Sequence, residues 1–248
     1  METPATAFPL TDRFIKALTL AHKWHTGQYR KGTRIPYISH LMGVASVALE
    51  FGASEDEAIA ALLHDALEDG PENLEPEETM RAKKRQELED HIRREFDTEV
   101  ARLVLGATEE TPLVNGRKAP WEQRKGEYLH KLVSREHVKD ASALLVSAAD
   151  KLHNARSILT DVLTAGDTAE TRAAFFDRFN QGQHGTLQYY RLLVRAYRLA
   201  PGAAGQPRLL ALIAELDRTV TALEAACDLD QDTVAAFPLL RPVGEQLA

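Results

Sequence analysis

The chain has 248 residues, 44% of them hydrophobic, with 30 Lys and Arg against 37 Asp and Glu for a formal net charge of −7. That length buries one large core, or a domain with an appendage, and the acidic balance excludes a general affinity for nucleic acid or anionic membranes while leaving room for a local basic pocket. A single cysteine, Cys227, excludes an intramolecular disulfide and a cysteine-rich zinc site. The first residues lack the basic and apolar regions of a secretory signal, and no run approaches the roughly 20 apolar residues of a membrane span. A cytoplasmic protein is expected.

Apolar residues recur at intervals of three and four and almost never alternate, which predicts an all-α protein. Residues 11 to 29 open on the capping pair Thr11-Asp12 and place Phe14, Ile15, Leu18 and Ala21 on one face. The Gly- and Pro-containing segment from Lys31 to Pro36 makes a turn, and a helix follows from Tyr37 to Phe51. Gly52 stops it, Ser54 caps the next helix with Glu57 in capping-box position, and that helix is expected to run from 55 to 69. A charged loop from 71 to 84 leads to a helix over 82–96 with a solvated charged face, and to another over 97–107. After an irregular stretch around Pro112, Asn115-Gly116 and Pro120, helices are predicted over 121–133 and 136–163. Ala-Gly-Asp at 165–167 breaks the pattern, and helices near 169–180, 185–199 and 207–227 precede an irregular end. The division this suggests is a site-bearing region, 1–165, and a helical C-terminal extension, 166–248, packed on it.

Four positions carry the chemistry. His64 and Asp65 follow the apolar run AIAALL, and Glu68 and Asp69 stand one helical turn further on. Three carboxylates within five residues repel one another, and a bound cation relieves that repulsion; the plain alternative is a helix that ends in water. His40 opens the apolar helix LMGVASVALEF, where core or capping roles compete with ligation. Asp150 closes the run SALLVSAAD, so it needs a cation, an arginine or several donors, with Lys151 and Arg156 as local salt-bridge partners. Two imidazoles and two carboxylates complete a shell for a divalent transition metal. Arg30, Lys31, Lys151 and Arg124 are the cations available to phosphate, although Arg124-Lys125 reads first as a solvated helix face and Trp121 and Tyr128 as packing; His22 and His25 read first as packing or surface residues, with phosphate contact as the alternative.

The pattern His40, His64-Asp65, Asp150 resembles that of the HD superfamily of metal-dependent phosphohydrolases. More narrowly, AHKWHTGQYRKGTRIPYISH, AIAALLHDALEDG and SAADKLHNARSI are similar to the hydrolase domain of RelA/SpoT-type enzymes and of stand-alone small alarmone hydrolases, over roughly residues 11 to 160. The resemblance implies an all-α HD-domain helical bundle and manganese-dependent release of the 3′ pyrophosphate from the guanosine alarmones ppGpp and pppGpp. It implies His40, His64, Asp65 and Asp150 as metal ligands, Glu68-Asp69 as the pair that activates or orients water, and Asn154 as a nucleotide contact. The family's basic residue before PYI falls on either Arg30 or Lys31, because RKGTRIPYISH carries one extra residue. Without the long synthetase region of bifunctional relatives, the chain is expected to hydrolyse a small nucleotide without making it. Two alternatives stand beside this: an HD phosphohydrolase for another nucleotide or phosphorylated metabolite, and a metal-bound nucleotide-binding module without turnover. Oligomeric state is left open by the sequence.

Overall fold

The computed structural model describes residues 9–109, 113–114, 117–136, 138–166 and 168–247. Pro112, Asn115-Gly116 and Asp167, read above as irregular or breaking positions, lie outside the described residues. Among those described, the regular structure is helical apart from a short antiparallel hairpin, β1 (Leu113–Val114) and β2 (Arg117–Lys118), and one isolated bridge between Tyr29 and Pro36. The all-α expectation holds. No described helix is long and apolar enough to cross a membrane.

The chain forms two compact units. The first comprises residues up to Thr108 together with Leu145–Ala149, and the second comprises Glu109–Leu144 and Asp150–Ala248.

In the first unit the helices are α1 (Asp12–Trp24), α2 (Ile38–Glu50), α3 (Glu55–Leu63), α4 (Gly70–Leu74), α5 (Arg81–Phe96) and α6 (Thr98–Ala107). α3 is its centre, packed against α1, α2 and α6. Every residue from Glu57 to Leu63 is buried. Its start is fixed by a complete capping box: the Ser54 hydroxyl accepts from the Glu57 amide at 3.3 Å, and the Glu57 carboxylate accepts from the Ser54 amide at 2.7 Å. Thr11 caps α1 as expected, accepting from the Arg13 amide. The buried face of α1, however, is Ala17, Ala21 and Trp24, and Ile15 is 58% exposed. Both stripes have helical spacing; the alanine stripe lets α1 approach α3, which is itself rich in alanine. α3 ends at Leu63 rather than 69, and the short α4 lies inside the segment expected to be loop. α5 buries Leu88, Ile92 and Phe96 and pairs Lys84 with Glu87 and Arg93 with Glu89 on its solvated side.

The second unit contains α7 (Trp121–Val133), most of α8 (Ala141–Ala165), α9 (Ala169–Phe176), α10 (Gly182–Leu199), α11 (Pro207–Ala226), α12 (Gln231–Ala235) and α13 (Arg241–Gln246). α12 and α13 occupy the end that the spacing leaves irregular. α10 is the hub, packed on α7, α9, α11 and α12. Its Arg191, 2% exposed, donates to Glu224 of α11 at 2.8 and 2.5 Å and to Asp217 at 2.6 Å. A buried pair of this kind contributes little net stability, but breaking it strands a charge. Arg191→Met should therefore cost about 3–5 kcal/mol by leaving the buried Glu224 carboxylate uncompensated. Adding Glu224→Leu should recover much of that loss, since Asp217 keeps Arg198 at 2.7 Å. Urea unfolding of the single and double variants checks this; equal losses in both would show that packing, not charge, is responsible.

Candidate functional site

α3 stays apolar to its last turn and then delivers two polar residues. Beyond Leu63 the backbone tightens into turns, with bonds from Ala66 N to Leu63 O at 2.9 Å and from Glu68 N to Asp65 O at 3.2 Å. His64 and Asp65 therefore stand at the end of a core helix with their backbone still bonded, and the Thr108 hydroxyl at the end of α6 donates to His64 O at 3.3 Å. From the first turn of α2, His40 joins them, only 1% exposed.

One oxygen organises the group. Asp65 Oδ2 lies 3.1 Å from His64 Nε2 and 3.6 Å from His40 Nε2, and it accepts from the Tyr37 hydroxyl at 2.5 Å. The His40 and His64 rings meet edge to face at 5.3 Å. Among the described residues, candidate ligand atoms of His40, His64 and Asp65 all lie within 4.8 Å of one another.

The tautomer of His64 says what this arrangement suits. Its Nδ1 lies 2.8 Å from the Ala61 carbonyl, which only accepts, so Nδ1 carries the proton. In a neutral ring Nε2 is then a lone pair, and it faces an anionic oxygen. Such a contact is repulsive unless the ring is protonated or a cation lies between the two. Two imidazoles and a carboxylate are a donor set for divalent manganese, iron, cobalt or zinc, so the residues present fit a divalent metal. Burial works against ionisation of Asp65, yet the imidazoles of His64 and His40 hold its carboxyl well below the usual range.

Behind the cluster stands a second layer that the sequence reading did not assign. The Gln28 amide nitrogen donates to Asp69 Oδ2 at 2.8 Å, and its oxygen lies 2.6 Å from His25 Nδ1. The His25 ring stacks on Tyr37 at 5.2 Å, and Tyr37 in turn meets His40 edge-on. His25, read as packing or surface, is 3% exposed and in this network. Gln28 and Tyr37 were missed, although each stands three residues from a histidine, in HTGQ and YISH.

The remaining candidates are placed as follows. Asp69 is tied to this layer through Gln28, while Glu68 is half-buried in the same turns. Arg30 closes a tight loop through its amide to Ile35 O at 2.9 Å, and Lys31 is exposed on that loop. In the second unit Asp150, 7% exposed, accepts from Lys151 Nζ at 2.8 Å and from Asn154 Nδ2 at 2.6 Å. Burial lowers the Lys151 pKa, but the Asp150 charge outweighs it and holds the ammonium well above its ordinary value. Arg124 and Lys125 are not a solvated face: Lys125 binds the buried Glu109 at 2.7 Å and lies over the Tyr189 ring at 4.7 Å. Tyr128 packs as expected, 4% exposed with its hydroxyl 3.2 Å from that of Tyr197.

The HD domain family model matches residues 17–177. A GTP pyrophosphokinase of Streptomyces antibioticus is 33% identical over 143 residues, 58% of this chain and 14% of that protein. A guanosine-3′,5′-bis(diphosphate) 3′-pyrophosphohydrolase of Borreliella burgdorferi is 33% identical over 139 residues, 56% of this chain and 18% of that protein. The chain thus spans less than a fifth of the length of these relatives. A solved structure described as a metazoan ortholog of SpoT that hydrolyzes ppGpp shares the fold, with a TM-score of 0.53 at 21% identity, covering 88% of this chain and 97% of the other.

The surroundings of His25 make a pH dependence. Burial lowers its pKa, more than the Gln28 bond and the charges of Asp65 and Asp69 raise it, and the nearby His64 adds to the lowering. The unfolded chain then takes up the proton first, so His25's contribution is complete above about pH 6.5 and is lost as pH falls from there through its folded value. Urea unfolding of metal-free protein between pH 7.5 and 5 should show stability falling more steeply in the wild type than in His25→Phe, by at most about 1.4 kcal/mol per pH unit. Parallel profiles would show that His25 is not the group responsible.

Proposed function

The chain belongs to the HD domain family, and on that footing we propose that it is a manganese-dependent phosphohydrolase that releases the 3′ pyrophosphate of ppGpp and pppGpp. The observation that carries this reading is the convergence of His40, His64 and Tyr37 on one oxygen of Asp65, with Asp69 held beside it by Gln28. The names of the matched relatives support the alarmone as substrate.

In this proposal His40, His64, Asp65 and Asp150 hold the metal. Bound there, it supplies Lewis-acid polarisation of a phosphoryl oxygen and a more acidic water. The chain does the rest. Ala61 sets the His64 tautomer that turns Nε2 toward the site, and Tyr37 fixes the rotation of Asp65. Glu68 and Asp69 orient the attacking water and accept its proton. Arg30 or Lys31 recognises the nucleotide from the loop between α1 and α2. Lys151 and Asn154, both bonded to Asp150, contact it from α8.

A second reading keeps the chemistry and changes the substrate to another nucleotide or phosphorylated metabolite. It is favoured by the more than 40% of the chain that lies outside the alignments with the alarmone enzymes. Pyrophosphate and phosphate release by manganese-loaded protein over ppGpp, pppGpp, common nucleotides and NADPH separates the two. Pyrophosphate released from ppGpp and pppGpp, and abolished in His64→Ala together with bound metal, is the expected result. Turnover confined to other substrates would move the assignment to the second reading, and full activity in a metal-depleted variant would end both. Glu68→Gln should retain metal and slow turnover by about 100-fold or more, the range of a lost general base; unchanged turnover would leave Asp69 alone in that role.

A further inference from the structure

We infer that His25 and Gln28 act as a strut that aims the Asp69 carboxylate at the attacking water, an inference that rests on the hydrolytic reading of this site. Asp69 lies on turns beyond the end of α3, where a short carboxylate side chain is free to rotate unless something holds it. Gln28 holds it, and the orientation of the Gln28 amide is determined. With the amide nitrogen on Asp69 Oδ2 at 2.8 Å, the amide oxygen faces His25 Nδ1 at 2.6 Å. Reversing the amide would set its oxygen against the Asp69 carboxylate, a repulsion in place of a bond. His25 therefore carries its proton on Nδ1.

The backbone reinforces the strut. The Gln28 amide donates to His25 O at 3.1 Å, and its carbonyl accepts from Tyr37 N at 3.0 Å. The turn between the two side chains passes through Gly27 at φ +79, a conformation that favours glycine. The spacing HTGQ thus has a physical content: histidine to read the amide, glycine to turn, glutamine to reach. His25 Nε2 is buried with no hydrogen-bond partner, an acceptor left over from this tautomer and turned into the protein. The same ring stacks on Tyr37, which donates to Asp65, so one histidine braces the carboxylate in the cluster and the one beside it.

Packing and positioning make opposite predictions for two substitutions. His25→Phe keeps a ring on Tyr37 and loses the Nδ1 donor; His25→Asn loses the ring and keeps a donor near the Nδ1 position. In the full chain loaded with manganese, His25→Asn should keep kcat within about threefold of wild type, whereas His25→Phe and Gln28→Leu should lose about 10- to 100-fold, as outer-shell partners do. KM and bound metal should be unchanged in all three. Wild-type kcat in His25→Phe, or an equal loss in His25→Asn, would overturn the strut. If His25→Phe does not fold, Gln28→Leu, at a half-buried position, carries the same comparison.

A readout independent of turnover separates this inference from the proposed activity. ¹⁵N spectra of the imidazoles should show the Nδ1–H tautomer at His25 in wild-type protein and its loss in Gln28→Leu. An Nε2–H tautomer in the wild type overturns the strut whatever the activity. A wild type that turns over nothing on the substrate panel ends the hydrolytic reading, and with it the role in catalysis, while the spectra still decide whether the strut exists.

Discussion

Everything at the candidate site depends on one shared anionic oxygen, Oδ2 of Asp65. A carboxylate beside two buried imidazoles is tolerable only if its charge is answered. The phenol of Tyr37 answers part of it with a hydrogen bond, and the imidazoles answer the rest either as a cation or through one. Because Ala61 has taken the proton-bearing nitrogen of His64, the ring offers the site a lone pair in its neutral form. The cluster is thus built against its own charge distribution, which is what a metal site looks like before its metal is considered.

Such a cluster needs a rigid support. α3 provides it by being buried from Glu57 to Leu63, fixed at its start by the capping box and held on three sides by α1, α2 and α6. A change in the length of α3 would move His64 and Asp65 together, whereas His40 comes from another helix. Their convergence is therefore set by how closely α2 and α3 approach, and the many alanines on those helices permit that approach. The tightening of the chain after Leu63 matters for the same reason. A regular helix to 69 would carry Glu68 and Asp69 straight on along its axis, while the observed turns place Asp69 within reach of Gln28.

Much of this was legible in the sequence. Helical periodicity gave the elements, Ser54 and Glu57 gave the start of α3, and the ionisable residues after an apolar run pointed to His64 and Asp65. What was not legible depended on competition between equally periodic patterns. Ile15 and Ala17 both lie on plausible stripes of α1, and hydrophobicity alone favours isoleucine, but close approach to α3 favours alanine. Gln28 and Tyr37 carry no charge and match no ligand pattern, so their roles emerge only when the loop between α1 and α2 is closed by the Tyr29–Pro36 bridge. Arg124 and Lys125 looked solvated because the sequence gives no sign that Glu109 is buried near them.

The two carboxylates that close apolar helical runs, Asp65 and Asp150, are answered differently, and the difference bears on their proposed shared duty. Asp150 already has an ammonium and an amide: Lys151 on one oxygen, Asn154 on the other. That pairing accounts for its burial without any metal, which Asp65 and its neutral-capable partners do not achieve so simply. Yet the pairing does not disqualify Asp150 as a ligand. An ionised carboxylate has about four lone-pair directions, and these two bonds use two of them. Lys151 and Asn154 would then do for Asp150 what Tyr37 does for Asp65, holding the carboxylate still. Asp65 makes a demand for a cation that Asp150, answered within its own unit, does not make.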